Sequence, residues 1–257
     1  LPPGVINFLP GNGPTIGGAV LPSPDLSGLH FTGSTATFKH LWKQIGANID
    51  TYKYYPRVVG ETGGKDFIVV HPSAYLDEIV PNAVRAAFEY QGQKCSAASR
   101  AYIPRSMADE FKQRFAAEAS KIKVGDPGDT SNFMCAVIDE RSFNKISGYI
   151  DFAKNANNAE IIVGGTYDSS QGWFIQPTLI ETTDPHFKTM EEEIFGPVLT
   201  MYVYDDEKFS ETLSICDRTS PYGLTGAIFA TDRYAIREAR EALRFSAGNF
   251  YINDKPT

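Results

Sequence analysis

Phe67-Ile68-Val69-Val70 is an apolar run without polar alternation. A strand with one face in water alternates polar and apolar residues, whereas one buried on both faces does not, and burial on both faces belongs to parallel sheets covered by helices. Downstream, about Asp77 to Gln91, Val80, Val84, Ala87 and Phe88 fall on one helical face that would pack on such a sheet, and Gly92 stops the helix. Ala101-Tyr102-Ile103 reads as the next strand. A helix to about Lys123 follows, with Met107, Phe111, Phe115 and Ile122 facing in and Ser106 with Asp109 as a capping-box-like start. The alternation of short strands and helices predicts an α/β protein with a largely parallel sheet.

The pattern extends in both directions. Upstream, Val5-Ile6-Asn7-Phe8-Leu9 reads as a short strand, Ile16 to Leu21 as the start of a helix, and Leu29-His30-Phe31 as a strand. After the Thr32-Gly33-Ser34-Thr35 turn, Phe38, Leu41, Trp42 and Ile45 recur at helical spacing. Downstream, Phe143, Ile146 and Ile150 mark a helix and Ile161-Ile162-Val163 a strand. Trp173 to Ile180 reads as a longer strand interrupted by Pro177, and a strand runs through Val203. Phe209, Leu213 and Cys216 face in from a helix, Gly226 to Phe229 is a strand, a helix runs through Leu243, and Asn249 to Asn253 is the last strand.

At 257 residues and 42% hydrophobic, the chain has enough apolar mass for a substantial core. Its 24 basic and 31 acidic residues give a net charge of −7 with no basic block, which argues against nucleic acid and anionic membranes as partners. No apolar run reaches the ~18–20 residues of a membrane span. The three cysteines, Cys95, Cys135 and Cys216, are widely spaced and odd in number, which speaks against a disulfide framework. Cys135 and Cys216 stand among apolar neighbours and read as structural. His30, His40, His71 and His186 have no metal-ligand spacing, so no metal site is expected.

Four stretches carry chemistry. In Phe88-Glu89-Tyr90-Gln91-Gly92-Gln93-Lys94-Cys95-Ser96-Ala97 a helix runs into a glycine and delivers a cysteine beside Lys94. A thiol acts as the thiolate, which a neighbouring ammonium favours, although a lone cysteine in an Ala/Ser-rich segment is more often a small core residue. In Val58-Val59-Gly60-Glu61-Thr62-Gly63-Gly64-Lys65 an acid ends a β-branched run between glycines, where it reads equally as a general base or a solvated turn residue. The Gly33-Ser34-Thr35 turn offers backbone N–H groups to a phosphate at a helix start, or Ser34 or Thr35 is a plain N-cap. In Glu191-Glu192-Glu193-Ile194-Phe195-Gly196-Pro197 the acids form a solvated face, or Glu193 receives sugar hydroxyls beside an aromatic ring that can lie on a flat heterocycle.

Taken together and in this order, Phe31-Thr32-Gly33-Ser34-Thr35, Glu61-Thr62-Gly63-Gly64-Lys65, Gly92-Gln93-Lys94-Cys95 and Glu193-Ile194-Phe195-Gly196-Pro197 resemble the aldehyde dehydrogenase superfamily over essentially the whole chain. Within it, Phe88 to Ala97, Ile122 to Pro127 and Gly248 to Lys255 look most like the enzymes that oxidise glutamate semialdehyde to glutamate with NAD in proline breakdown, normally in the mitochondrial matrix. The resemblance implies Cys95 as nucleophile with its backbone N–H as an oxyanion donor, and Glu61 as the base that activates the hydrolytic water. It places Gly33 and Ser34 at the cofactor diphosphate, and Glu193 and Phe195 at the nicotinamide ribose and ring. It also implies residues 1–64 as the C-terminal part of a Rossmann-like NAD-binding domain and 65–257 as a nearly complete catalytic domain with mostly parallel sheets and flanking helices. A small aldehyde is the expected substrate and a homo-oligomer the expected state of the full-length enzyme. The family's first cofactor strand and one oxyanion-hole asparagine are expected before Leu1, and its Gly-Ser substrate anchor after Thr257. The chain therefore reads as an internal fragment, and the alternative expectation is a folded α/β piece with little catalysis and at most weak nucleotide binding.

Overall fold

The computed structural model describes residues 1–256. The chain forms two compact units that meet in sequence at Gly63 and Gly64. The first contains α1 (Gly13–Val20), β1 (Gly28–Thr32), α2 (Thr35–Ala47) and β2 (Arg57–Glu61). β1 and β2 pair in parallel with Leu29 opposite Val58 and Thr32 opposite Glu61. Its core is small: Leu21, Leu26 and Ile45 are buried, with Leu29, Leu41, Tyr52 and Val58 packed around them. Asn12 caps α1, accepting from the Thr15 N–H at 3.3 Å, so this helix starts earlier than the apolar residues suggest.

Val5 to Leu9 forms no strand. Its apolar side chains stay in solvent, Phe8 at 87% exposure, and no strand among the described residues pairs with it. β-propensity without a partner and a face to bury does not make a strand.

From Gly64 onward the elements are β3 (Asp66–Val70), α3 (Leu76–Phe88), β4 (Ala98–Pro104), α4 (Arg105–Ala119), α5 (Glu140–Lys154), β5 (Ala159–Val163), β6 (Tyr167–Asp168), β7 (Phe174–Ile175), β8 (Thr178–Thr182), α6 (Lys188–Glu191), β9 (Val198–Tyr204), α7 (Phe209–Arg218), β10 (Thr225–Phe229), α8 (Arg233–Ala242) and β11 (Asn249–Ile252). Seven of the strands make one sheet in the order β11-β10-β3-β4-β9-β8-β5, parallel throughout except that β5 runs against β8. β3 is buried along its full length. Ile68 and Val70 face a core built with α3 and α4, while Phe67 and Val69 face a second core built with α5, α7 and α8. That division explains why the strand shows no polar alternation.

Three sequence expectations change. α3 ends at Phe88 rather than at Gly92, because Tyr90, Gln91 and Gly92 take left-handed backbone angles. α4 begins at Arg105 without a capping box: the Ser106 N–H donates to Asp206 Oδ1 at 3.0 Å, so the orphan donor is satisfied from another element. The Trp173–Ile180 run splits into β7 and β8 around Pro177, and the Gln176 N–H turns to the Thr166 carbonyl at 3.0 Å.

The fold gathers four strand beginnings at one edge. β10, β3, β4 and β9 are adjacent and parallel, and they enter the sheet at Thr225, Asp66, Ala98 and Val198. The segments leading into them carry Gly64, Cys95 and Glu193.

Candidate active site

The Cys95 turn follows from how α3 is stopped. Tyr90 (φ 55°), Gln91 (φ 59°) and Gly92 (φ 64°) are three consecutive left-handed residues, a conformation that costs roughly 1–2 kcal/mol for each residue bearing a Cβ. Three sets of bonds offset this cost. Gln91 is buried and its Nε2 donates to Cys135 Sγ at 3.1 Å and to the Ala136 carbonyl at 3.2 Å. Gln93 Oε1 accepts from the Ile138 N–H at 2.9 Å. Glu89 is held between Arg85 at 3.1 Å and Lys94 at 2.7 Å, and the Lys94 hydrogen bond, ahead of the others, pulls its carboxyl below the ordinary range. At Gly92 a Cβ would collide with the Gly196 carbonyl, so only glycine lets this turn approach the 193–196 loop.

Cys95 then sits half-buried in the Lys94–Ala97 turn, closed by the Ala97 N–H on the Lys94 carbonyl at 3.2 Å. Its carbonyl lies where a Cβ of Gly64 would be, which fixes Gly64 as glycine for a second reason of close approach. The Gly64 N–H donates to Glu193 Oε1 at 3.0 Å, and Lys145 Nζ donates to the Glu193 carbonyl at 2.8 Å. Gly64, Gly92, Lys94, Glu193 and Phe195 line one small depression. Phe195 has φ 62°, an unfavourable backbone for a bulky residue, and the residue is 41% exposed.

Beside the turn, Glu89, Tyr90, Gln91, Lys94, Phe133 and Cys135 are among the residues lining an open cleft of about 580 Å³. Cys135 is thus half-buried at a cleft wall and bonded to Gln91, not enclosed among apolar neighbours as its sequence surroundings suggest. Cys216 is fully buried, and burial pushes its thiol up to about 11, as a core cysteine requires.

In the first unit, Glu61 is exposed at the carboxyl end of β2, and its carbonyl accepts from the Gly33 N–H at 3.1 Å. Ser34 caps α2, its Oγ accepting from the Thr37 N–H at 3.2 Å. The turn that would cradle a phosphate therefore lies directly beside Glu61, at the carboxyl ends of the two strands, where open α/β sheets bind ligands.

Residue-type patterns missed the polar layer beneath the turn. Lys65 and Asp66 are each 1% exposed, and Lys65 Nζ and Asp66 Oδ2 have no hydrogen-bond partner among the described residues. Burial lowers the Lys65 ammonium to about 7, with buried Arg100 adding to the effect, and burial raises the Asp66 carboxyl to about 7 against two hydrogen bonds from Thr225. Arg100 donates to the Lys65 carbonyl, Tyr102 Oη and the Cys216 carbonyl at 2.8, 3.0 and 2.8 Å. The signal was available: two charged residues open an all-apolar strand, and a strand buried on both faces carries their side chains inward.

A half-buried cysteine just after a strained helix stop, in a turn whose neighbouring residues line a glycine-framed depression with a carboxylate and an aromatic residue, is what the four motifs bring together here, and the aldehyde dehydrogenase family model matches residues 1–257. This chain belongs to the aldehyde dehydrogenase family. It is 57% identical over 259 residues to the Delta-1-pyrroline-5-carboxylate dehydrogenase, mitochondrial, of Dictyostelium discoideum, a match covering 100% of this chain and 46% of that protein. Among solved structures, the Delta-pyrroline-5-carboxylate dehydrogenase of Mycobacterium tuberculosis bound with NAD superposes with a TM-score of 0.94 at 49% identity, over 100% of this chain and 47% of that one. The 1-pyrroline-5-carboxylate dehydrogenase from Thermus with bound NAD gives 0.91 at 34% identity, over 100% and 48%. The chain spans about half the length of the relatives it matches.

Proposed function

We propose that the polypeptide carrying this chain oxidises L-glutamate γ-semialdehyde, the open form of 1-pyrroline-5-carboxylate, to L-glutamate with NAD, in the mitochondrial matrix. The names of the relatives support the substrate and compartment, and the NAD-bound relatives support the cofactor. The observation that carries the reading is the Cys95 turn, which follows a helix stop built at a cost in backbone strain and whose carbonyl packs against Gly64, the residue that holds Glu193. In this reading residues 1–64 are part of the NAD-binding domain and residues 65–257 the catalytic domain.

The residues present fit a nicotinamide dinucleotide. Gly33, its own N–H held by the Glu61 carbonyl, leaves room at the turn, and the Ser34-capped start of α2 serves a diphosphate through backbone N–H groups and the helix dipole. Glu193, steadied through Oε1 by Gly64, offers a carboxylate to ribose hydroxyls, and Phe195, an exposed residue, offers its ring to a flat heterocycle. When bound, the nicotinamide supplies the hydride acceptor that turns the Cys95 adduct into a thioester. Cys95 as thiolate attacks the aldehyde carbon, and its backbone N–H holds the developing oxyanion. Glu61 takes a proton from the water that hydrolyses the thioester, and Cys95 leaves as thiolate.

Replacement of the nucleophile tests this. In the full-length polypeptide, Cys95→Ser is expected to lower glutamate-semialdehyde-dependent NADH formation by on the order of 10³-fold or more and to leave no trapped thioester in a quenched reaction. Retention of wild-type turnover by Cys95→Ser overturns the assignment.

A further inference from the structure

We infer that His71 is a pH-sensitive latch: its unprotonated Nδ1 locks the turn after β3 to the turn that opens α8, through Ser73, and a second proton on the ring releases it. The latch lies at the carboxyl ends of β3 and β10, the far edge of the sheet from the Cys95 turn, and does not depend on the role given to that cysteine.

The inference follows from counting hydrogens around the Ser73 hydroxyl. The Thr231 and Asp232 N–H groups both donate to Ser73 Oγ, each at 3.0 Å. These two bonds use both lone pairs of the oxygen, so its own hydrogen must point elsewhere. The acceptor it meets is His71 Nδ1, 2.9 Å away. The Ser73 N–H donates to the same nitrogen at 3.2 Å. Nδ1 therefore carries no hydrogen, and the neutral ring keeps its proton on Nε2. A further proton has only Nδ1 to go to, where it would face the Ser73 N–H and an oxygen with no lone pair left.

The bonds run on across three neighbouring strand ends. After β3, the His71 N–H donates to the Phe229 carbonyl at 2.9 Å, and the Thr231 hydroxyl donates to the Ser73 carbonyl at 2.6 Å. Ala230 exchanges two bonds with Asn253, just after β11: its N–H donates to Asn253 Oδ1 at 2.9 Å, and its carbonyl accepts from Asn253 Nδ2 at 3.0 Å. Asp232 caps α8, accepting from the Tyr234 N–H at 2.8 Å. Ser73 is thus where the protonation of a ring reaches the start of a helix.

The surroundings set the sense of the switch. Burial, with the Phe209 ring of α7 against the imidazole at 4.7 Å, lowers His71 from its ordinary 6.5. Three carboxylates work against burial: Asp232 at the cap of α8, Glu238 within α8 and Asp206 after β9. Burial prevails, so the latched ring binds a proton less readily than the free one. The latch is complete at neutral pH and gives way as pH falls below 6.5.

The test compares wild type with His71→Asn, whose amide oxygen can stand where Nδ1 stands and accepts at every pH, and with His71→Ala, which has no acceptor. Deuterium exchange of the 231–234 amides is measured by peptide mass in the full-length polypeptide at pH 5 and 7.5. Rates are corrected for intrinsic exchange and referred to the amides of β4. Wild-type protection is expected to fall about tenfold from pH 7.5 to 5, the size of one hydrogen bond. His71→Asn is expected to hold its protection within about twofold at both values, and His71→Ala to be about tenfold less protected than wild type already at pH 7.5. Wild-type protection that does not change with pH, or a fall in His71→Asn as large as in wild type, overturns the inference. Should His71→Ala fail to fold, slow deuterium exchange at the imidazole C2 position takes its place. The His71 midpoint is expected below 6.5 in wild type and higher in Ser73→Ala, and a midpoint that Ser73→Ala leaves unmoved refutes the latch.

Discussion

Lys65 shows at the scale of one residue what the buried edge of the sheet costs. Its Nζ is fully enclosed with no hydrogen-bond partner among the described residues, and burial, helped by Arg100, lowers the amine to about 7 from its ordinary 10.5. The sign is fixed by proton counting: between about 7 and 10.5 the unfolded chain binds more protons than the folded one, so stability rises with pH across that window. Lys65→Met removes a buried polar group without changing the volume greatly. It is expected to be neutral to stabilising, by about 1–3 kcal/mol at pH 7, with the gain shrinking as pH approaches 10. Urea midpoints at pH 7, 8.5 and 10 measure it, and a loss of more than about 1 kcal/mol at pH 7 would mean the ammonium has a partner worth keeping.

Among elements, the left-handed stop of α3 matters most. Gln91 combines an unfavourable φ with two side-chain hydrogen bonds, so two substitutions separate strain from bonding. Gln91→Ala keeps the strain and loses the bonds, with an expected cost of about 2–3 kcal/mol in chemical denaturation. Gln91→Gly loses the same bonds and relieves the backbone, recovering about 1 kcal/mol of that loss. Both should expose the Cys135 thiol to a disulfide reagent. A Gly variant no more stable than the Ala variant would refute strain at this position. The sequence showed where α3 begins to pack, through Val80, Val84, Ala87 and Phe88, but not how it ends. Gly92 announced a stop, whereas the left-handed angles at Tyr90 and Gln91 depend on partners at 135–138, more than forty residues away, that no local pattern reveals. The same holds for α4, whose first turn is capped by Asp206 rather than by its own Ser106.

For the molecule as a whole, apolar run, helical spacing and the order of motifs made the parallel sheet readable, because burial on both faces leaves a direct imprint on composition. The Val5–Leu9 run misled for the converse reason: apolar residues with nothing to cover them look the same in sequence as those that have a core. Stability should follow the same division. Residues 1–63 enclose three buried apolar side chains, whereas the sheet from β3 onward carries a core on each face. Hydrogen exchange is therefore expected to be slowest at Phe67–Val70 and Ala101–Ile103, and faster by orders of magnitude in β1 and β2. Equal protection in the two units would contradict this.

The convergence of four strand beginnings at one edge has a temporal meaning. Gly64, Cys95, Glu193 and Thr225 are scattered over more than half of the sequence, and the buried Asp66 carboxyl beside Gly64 is bonded to Thr225, the last of them to leave the ribosome. A growing polypeptide therefore passes most of its synthesis with this edge unfinished, and completes it only when β10 slots in beside β3.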